Sequence, residues 1–298
     1  MRSQLFFTLI AALLLGVPAW AQEDESPSRL PDYPIPLVDE SLIKPHPPLI
    51  QIGPGLVSTG RLERGFDVPG GAVWRPSFWV YGNLRSGINL VDPGGSGDRI
   101  VEWAQRMDLF GNLQLNGTER LLIGLSPLHQ RGSFSRYVFE PESEEGWVDE
   151  TNARITTFFF EGELSELIPA LDPDGTRKLD YGFSVGRWRV DLQDGLLVND
   201  MMDAVGITRF VAVPGTATTR MTLIAGWDEV SRDNNLLSEG SRYLSFSAEA
   251  DTYRSTIDLD VVHVEAPEAE GGSAWFLGWG SSQRLKFGGE SYNTTFRI

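Results

Sequence analysis

Residues 99 to 116 read RIVEWAQRMDLFGNLQLN. Val101, Trp103, Gln105, Met107, Leu109, Gly111, Leu113 and Leu115 fall on one side of an alternating pattern. Glu102, Ala104, Arg106, Asp108, Phe110, Asn112, Gln114 and Asn116 fall on the other. A period of two belongs to a β-strand, and no helical stripe gathers Val101, Leu109 and Leu113 with Trp103. The alternation lasts about 15 residues, where ~5–6 is usual for a strand in a globular protein.

The pattern recurs along the chain. In ERLLIGLS, Leu121, Ile123 and Leu125 alternate with Leu122, Gly124 and Ser126. In TTRMTLIAGWDEV, Met221, Leu223, Ala225 and Trp227 oppose Arg220, Thr222, Ile224 and Gly226. In TYRSTIDLDVVH, Tyr253, Ile257, Leu259 and Val261 oppose Arg254, Thr256, Asp258 and Asp260. In SAWFLGWGS, Trp275, Leu277 and Trp279 oppose Phe276, Gly278 and Gly280. Between the runs lie DPGGSGD (92–98), PESEEG (141–146), LDPDG (171–175), VPG (213–215), RDNN (232–235), EAPEAEGG (265–272) and GGE (288–290). Each carries the Gly, Pro, Asp or Asn that turns demand. Roughly ten to twelve antiparallel strands are expected at this spacing, all-β, from residue 76 to 298.

Two architectures fit such strands. A soluble sandwich turns its apolar faces to a core and its polar faces to water. A transmembrane barrel turns the apolar face to lipid and the polar face to a wet lumen. Strand length and Trp and Tyr near the strand ends favour the barrel.

The N-terminus supports export. Arg2 precedes an apolar run from Leu5 to Leu15, and Ala19-Trp20-Ala21 offers small residues at a cleavage site. A secretory signal peptide over residues 1–21 is expected, since the run is too short to span a bilayer. Residues 22–75 are rich in proline, which removes backbone donors and argues against a run of paired strands. They are expected to form an extended periplasmic segment. The chain has no cysteine, so Cys nucleophiles and Cys-based metal sites are absent. A net charge of −16 argues against nucleic acid as a partner and biases any aqueous lumen toward cations.

The segments RMDLFGNLQLNGTERLLIGLSPL (106–128) and LDYGFSVGRWRVDLQDGLLVND (179–200) resemble repeats of Gram-negative outer-membrane porin-like barrels of the alginate-export and carbohydrate-porin type. The resemblance spans roughly residues 76–298 and implies an outer-membrane channel for small solutes, saccharides or ions among them. It implies outer-membrane lipid as a partner, leaves a homo-oligomer open, and calls for no cofactor and no chemical step. The chain departs from that group in length and in ending SYNTTFRI rather than on an aromatic residue. A smaller barrel and the N-terminal part of a larger one are both compatible with it.

Sequence features suggestive of chemistry are few. His46, His129 and His263 have no zinc-binding spacing. GGSGD (94–98) lacks the Lys-Ser/Thr of a phosphate loop, and DPDGTRKLD (172–180) fails EF-hand spacing. GFSVG (182–186) matches the nucleophile elbow of α/β-hydrolases, but RWRV continues the strand where a helix is needed. Ser184 therefore reads as a small residue of one strand face. The expected pore-lining charges are Arg106, Asp108, Arg187, Arg189, Asp191, Asp194, Arg254 and Asp258. The stretch from Arg187 to Asp203 is the densest in mixed charge and reads as a constriction. The other functional classes are a secreted or periplasmic carbohydrate-binding β-sandwich and a barrel hydrolase using Ser184.

Overall fold

The computed structural model describes residues 48–53, 64–95, 97–130, 132–174, 179–227, 230–231, 237–238, 240–268 and 271–298. The expected signal peptide, residues 1–21, and most of the segment 22–75 lie outside these residues. The described residues are mostly antiparallel strand. After β1 (Ile50–Ile52), β2 (Phe66–Asp67) and β3 (Val73–Trp74) come the long β4 (Ser77–Val91) and β5 (Ile100–Gln114). Next are β6 (Arg120–Leu125), β7 (His129–Gln130), β8 (Ser133–Glu140), β9 (Gly146–Val148) and β10 (Ile155–Glu163). A single turn of helix, α1 (Leu164–Leu167), leads to β11 (Gly182–Leu192), β12 (Val198–Phe210) and β13 (Thr218–Trp227). The short β14 (Val230–Ser231) and β15 (Leu237–Ser238) form a ribbon. Last come β16 (Arg242–Asp251), β17 (Ser255–Glu265), β18 (Ala274–Phe287) and β19 (Glu290–Arg297).

One sheet takes up nearly all of them, in the order β1-β4-β5-β6-β10-β11-β12-β13-β16-β17-β18-β19. Consecutive long strands are neighbours, as turns of two to a few residues require. The expected turns at 92–98, 141–146, 213–215 and 288–290 all fall at strand junctions, with Gly146 and Glu290 opening the strands that follow. Residues 99–116 become β5 with the alternation intact. β8 takes over from β6 along β5, so this part of the wall is two strands in series. The proline-rich segment does pair at two points, one of them the β2–β3 ribbon of Phe66–Asp67 with Val73–Trp74. At the other, Ile50–Ile52, in the gap between Pro48 and Pro54, bonds to Phe78–Val80.

The registers carry one face assignment across the whole sheet. A single row runs Phe78, Leu113, Leu121, Phe160, Val185, Val205, Ala225, Leu244, His263, Trp275. The neighbouring row on the opposite face runs Glu163, Gly182, Thr208, Thr222, Ser247, Asp260, Gly278. The apolar face is open: Val185 and Val205 are 44% exposed, Leu244 45% and Trp275 68%. No second sheet covers it among the described residues, which sets the fold apart from a sandwich. The sheet is not closed there either. Among the described residues β19 pairs only with β18, and β4 beyond Val80 only with β5. The architecture is thus an all-β antiparallel single-layer sheet, and no helix of the described residues is long and apolar enough to cross a membrane.

Candidate functional site

The β11–β12 hairpin outgrows its neighbours. It pairs from Gly182↔Thr208 to Leu192↔Val198, but β10 stops at Arg187 and β13 at Asp203. The overhang ends in a turn where Gln193 and Asp194 both have φ 55° and Gly195 φ 81°. Three successive left-handed residues make a tight reversal that Asp and Gly tolerate. The even-numbered side of the overhang is apolar. Val190 packs with Met202, Ala204, Tyr243, Val262 and Val264, and Trp188, Leu192 and Leu197 lie against this cluster.

That cluster sits on the inner face of β12, β16 and β17, so the overhang folds over onto its own sheet. Gln193 Nε2 donates to Asp260 Oδ2 at 2.5 Å. Arg297 donates through Nε and Nη2 to Asp194 Oδ2, at 3.1 and 3.0 Å. A Cβ on Gly278 would meet Gln193 Cγ and Leu197 Cδ2, each at 2.8 Å. The tip thus reaches β17, β18 and β19, although β13 and β16 separate β12 from β17. Such contact requires the sheet to curl, with its polar face on the concave side.

Between the folded hairpin and the wall lies a cavity of about 590 Å³. Its charges come in facing pairs. Arg189 bonds to Asp191 at 3.5 Å on the hairpin, and Arg220 to Glu249 at 2.7 Å across β13 and β16. Arg297 bridges Asp194 on the tip to Asp258 on β17, the latter at 3.2 Å. Asp260, 3% exposed, accepts from Gln193 and from Ser247 Oγ. Five carboxylates against three guanidiniums leave the lining acidic. Of the lining groups, Gln193 Oε1 is buried without a hydrogen-bond partner among the described residues.

The residues expected from sequence divide four ways. Arg189, Asp191, Asp194 and Asp258 come together around this cavity. Arg106 and Asp108 share the inner face of β5, joined at 2.9 Å, with Ser126 Oγ donating to Asp108 at 3.0 Å, but they do not line the cavity. Arg187 pairs with Asp203 at 3.1 Å, on the face that carries Phe183 and Val185. Arg254 sits in the turn between β16 and β17 beside the ends of β18 and β19. Sequence reasoning missed Gln193, Arg220, Glu249 and Arg297. Arg220 and Glu249 alternate with Met221 and Ala248, so strand period alone put them on the polar face. Ser184 lies inside β11, opposite Glu161 and Gly206, and no helix follows it. No group of three or more potential metal ligands occurs among the described residues. No protein-family model matches the chain, and no curated protein does.

Proposed function

We propose that this chain forms the wall of an outer-membrane β-barrel channel, and that the cavity beneath the β11–β12 hairpin is the narrow part of the solute path. One observation carries the reading: most of the apolar residues exposed along the sheet share one face, and most of the charged and small residues share the other, the Arg187–Asp203 pair being among the exceptions. In water such a face is a liability of roughly 25 cal/mol for each Å² left open. Against acyl chains it costs nothing, and the opposite face keeps a water-filled lumen.

Further features agree. On the outer face, Trp103, Tyr137, Trp147, Trp227 and Trp275 all lie toward one end of the strands. Phe78, Phe183 and Tyr292 lie toward the other. Two aromatic belts of this kind sit at headgroup depth. Connections at the second end include 115–119, 252–254 and 288–289, while those at the first include 228–241 and 266–273. Short turns on the periplasmic side and longer loops outside are the outer-membrane arrangement; the connection 164–181 is the exception. Transport is by diffusion, with no covalent step, and the acidic lining favours cations and polar neutral solutes. The free edges of β4 and β19 cannot face lipid, where each unpaired backbone group costs several kcal/mol. In the membrane, they must therefore find partner strands.

The test is fractionation followed by conductance. The full chain should collect in the outer membrane, migrate differently on a gel before and after heating, and conduct in a planar bilayer with K⁺ preferred over Cl⁻. A chain recovered wholly from the soluble periplasm would overturn the reading.

A further inference from the structure

The three nitrogens of Arg297 are all engaged, and by two different parts of the chain. Nε and Nη2 donate to Asp194 on the hairpin tip, and Nη1 donates to Asp258 on β17. The side chain is 15% exposed although β19 is otherwise open to solvent. A third acceptor points to the same place. Gln193 belongs to a residue only 6% exposed, and its Oε1 has no hydrogen-bond partner among the described residues. A Cβ built on Gly280 would run into Asp258, Arg297 and Gln193 Oε1 together. Glycine at 280 is what leaves room for the three to converge.

We propose that Asp194, Asp258 and Gln193 form a guanidinium-binding seat, filled here by the chain's own Arg297, and that its occupancy holds the hairpin inside the sheet. The chemistry selects a planar cation. Two carboxylates at different angles need donors on both edges of a fork, which a guanidinium has and an ammonium lacks. The seat spans hairpin and wall, so emptying it removes one polar tie between them and leaves the Gln193–Asp260 hydrogen bond and the apolar contacts of Leu197 and Val190. Solutes bearing a guanidinium are the class that competes for it. The consequence for lumen width rests on the channel reading above, but the seat itself does not.

A thiol reporter tests the seat without any conductance measurement, because the chain has no cysteine of its own. Leu197→Cys places a single thiol on the half-buried flank of the tip. In that background, Arg297→Ala should speed maleimide labelling at least about tenfold, equivalent to ~1.4 kcal/mol of docking. Guanidinium chloride at tens of millimolar should slow labelling again, whereas tetramethylammonium chloride at equal ionic strength should not. Arg297→Lys should fall between. Asp194→Asn keeps the left-handed turn, which Asn tolerates, and removes the hairpin's half of the seat. It should speed labelling with no recovery in guanidinium. Strand content by circular dichroism confirms that each variant is folded. Labelling unchanged in Arg297→Ala and Asp194→Asn alike would overturn the tie. Acceleration reversed equally by both salts, or by neither, would overturn the guanidinium seat.

Discussion

Two glycines decide more at the residue scale than any charged side chain. Gly186 has φ 129° in the middle of β11, and a Cβ there would strike the backbone of Phe158 and Phe159. Gly186→Ala should therefore cost on the order of 1–3 kcal/mol. A lower urea midpoint for loss of strand signal would show it, and an unchanged midpoint would contradict it. This is the last glycine of the GFSVG segment. Its job is close approach of two strands, which the hydrolase pattern does not require. Gly280→Ala has a different signature. Its backbone is unstrained, but the new methyl intrudes on Asp258, Arg297 and Gln193. Global stability should change little, while the Leu197→Cys reporter becomes more reactive. What sequence revealed at this scale was alternation, which put Asp258 and Ser184 on the polar face. It did not reveal Arg297 as a partner of Asp194, because 103 residues separate them.

At the element scale, the strands were legible and the hairpin's course was not. Period-two alternation and Gly/Pro punctuation mark each strand because both reflect local backbone geometry. Folding-over of β11–β12 depends on contacts such as Gln193 with Asp260, 67 residues apart, which leave no local trace. The split of one wall position into β6 and β8 was equally hidden, since each half alternates normally. The outer face offers a sharp prediction here. Leu259 is 41% exposed and Leu223 45%. In a soluble protein, replacing either by Arg would be nearly neutral. Facing mid-bilayer lipid, each should cost about 2–4 kcal/mol. Failure of Leu259→Arg to assemble into membranes, measured by heat-dependent gel mobility, is the expected result; normal assembly would count against the lipid-facing assignment. Replacing residues 193–197 by a plain two-residue turn should widen the lumen and raise conductance in planar bilayers.

For the whole molecule, charge is the readable quantity. The net −16 and the acidic cavity predict cation preference that weakens as salt screens it. Glu249→Gln removes one lining carboxylate and frees Arg220, so the K⁺/Cl⁻ permeability ratio should fall. An unaltered ratio would place the selective region elsewhere. All-β class and antiparallel order were legible because every long strand carries the same pattern. Curl of the sheet was not, because it follows from side chains meeting across several strands.

The order of the sheet also governs how the protein can be made. Along its main path the strands follow sequence order, so the sheet can be laid down strand by strand, most loop closures being short. Docking of the β11–β12 tip is different: its anchors on β17, β18 and β19 are not complete until the last hairpin has formed. Full anchoring of the tip is therefore expected to wait for β19. A chain halted before β17 would carry that tip loose and its apolar flank uncovered, which makes this stage the natural point for a chaperone to act.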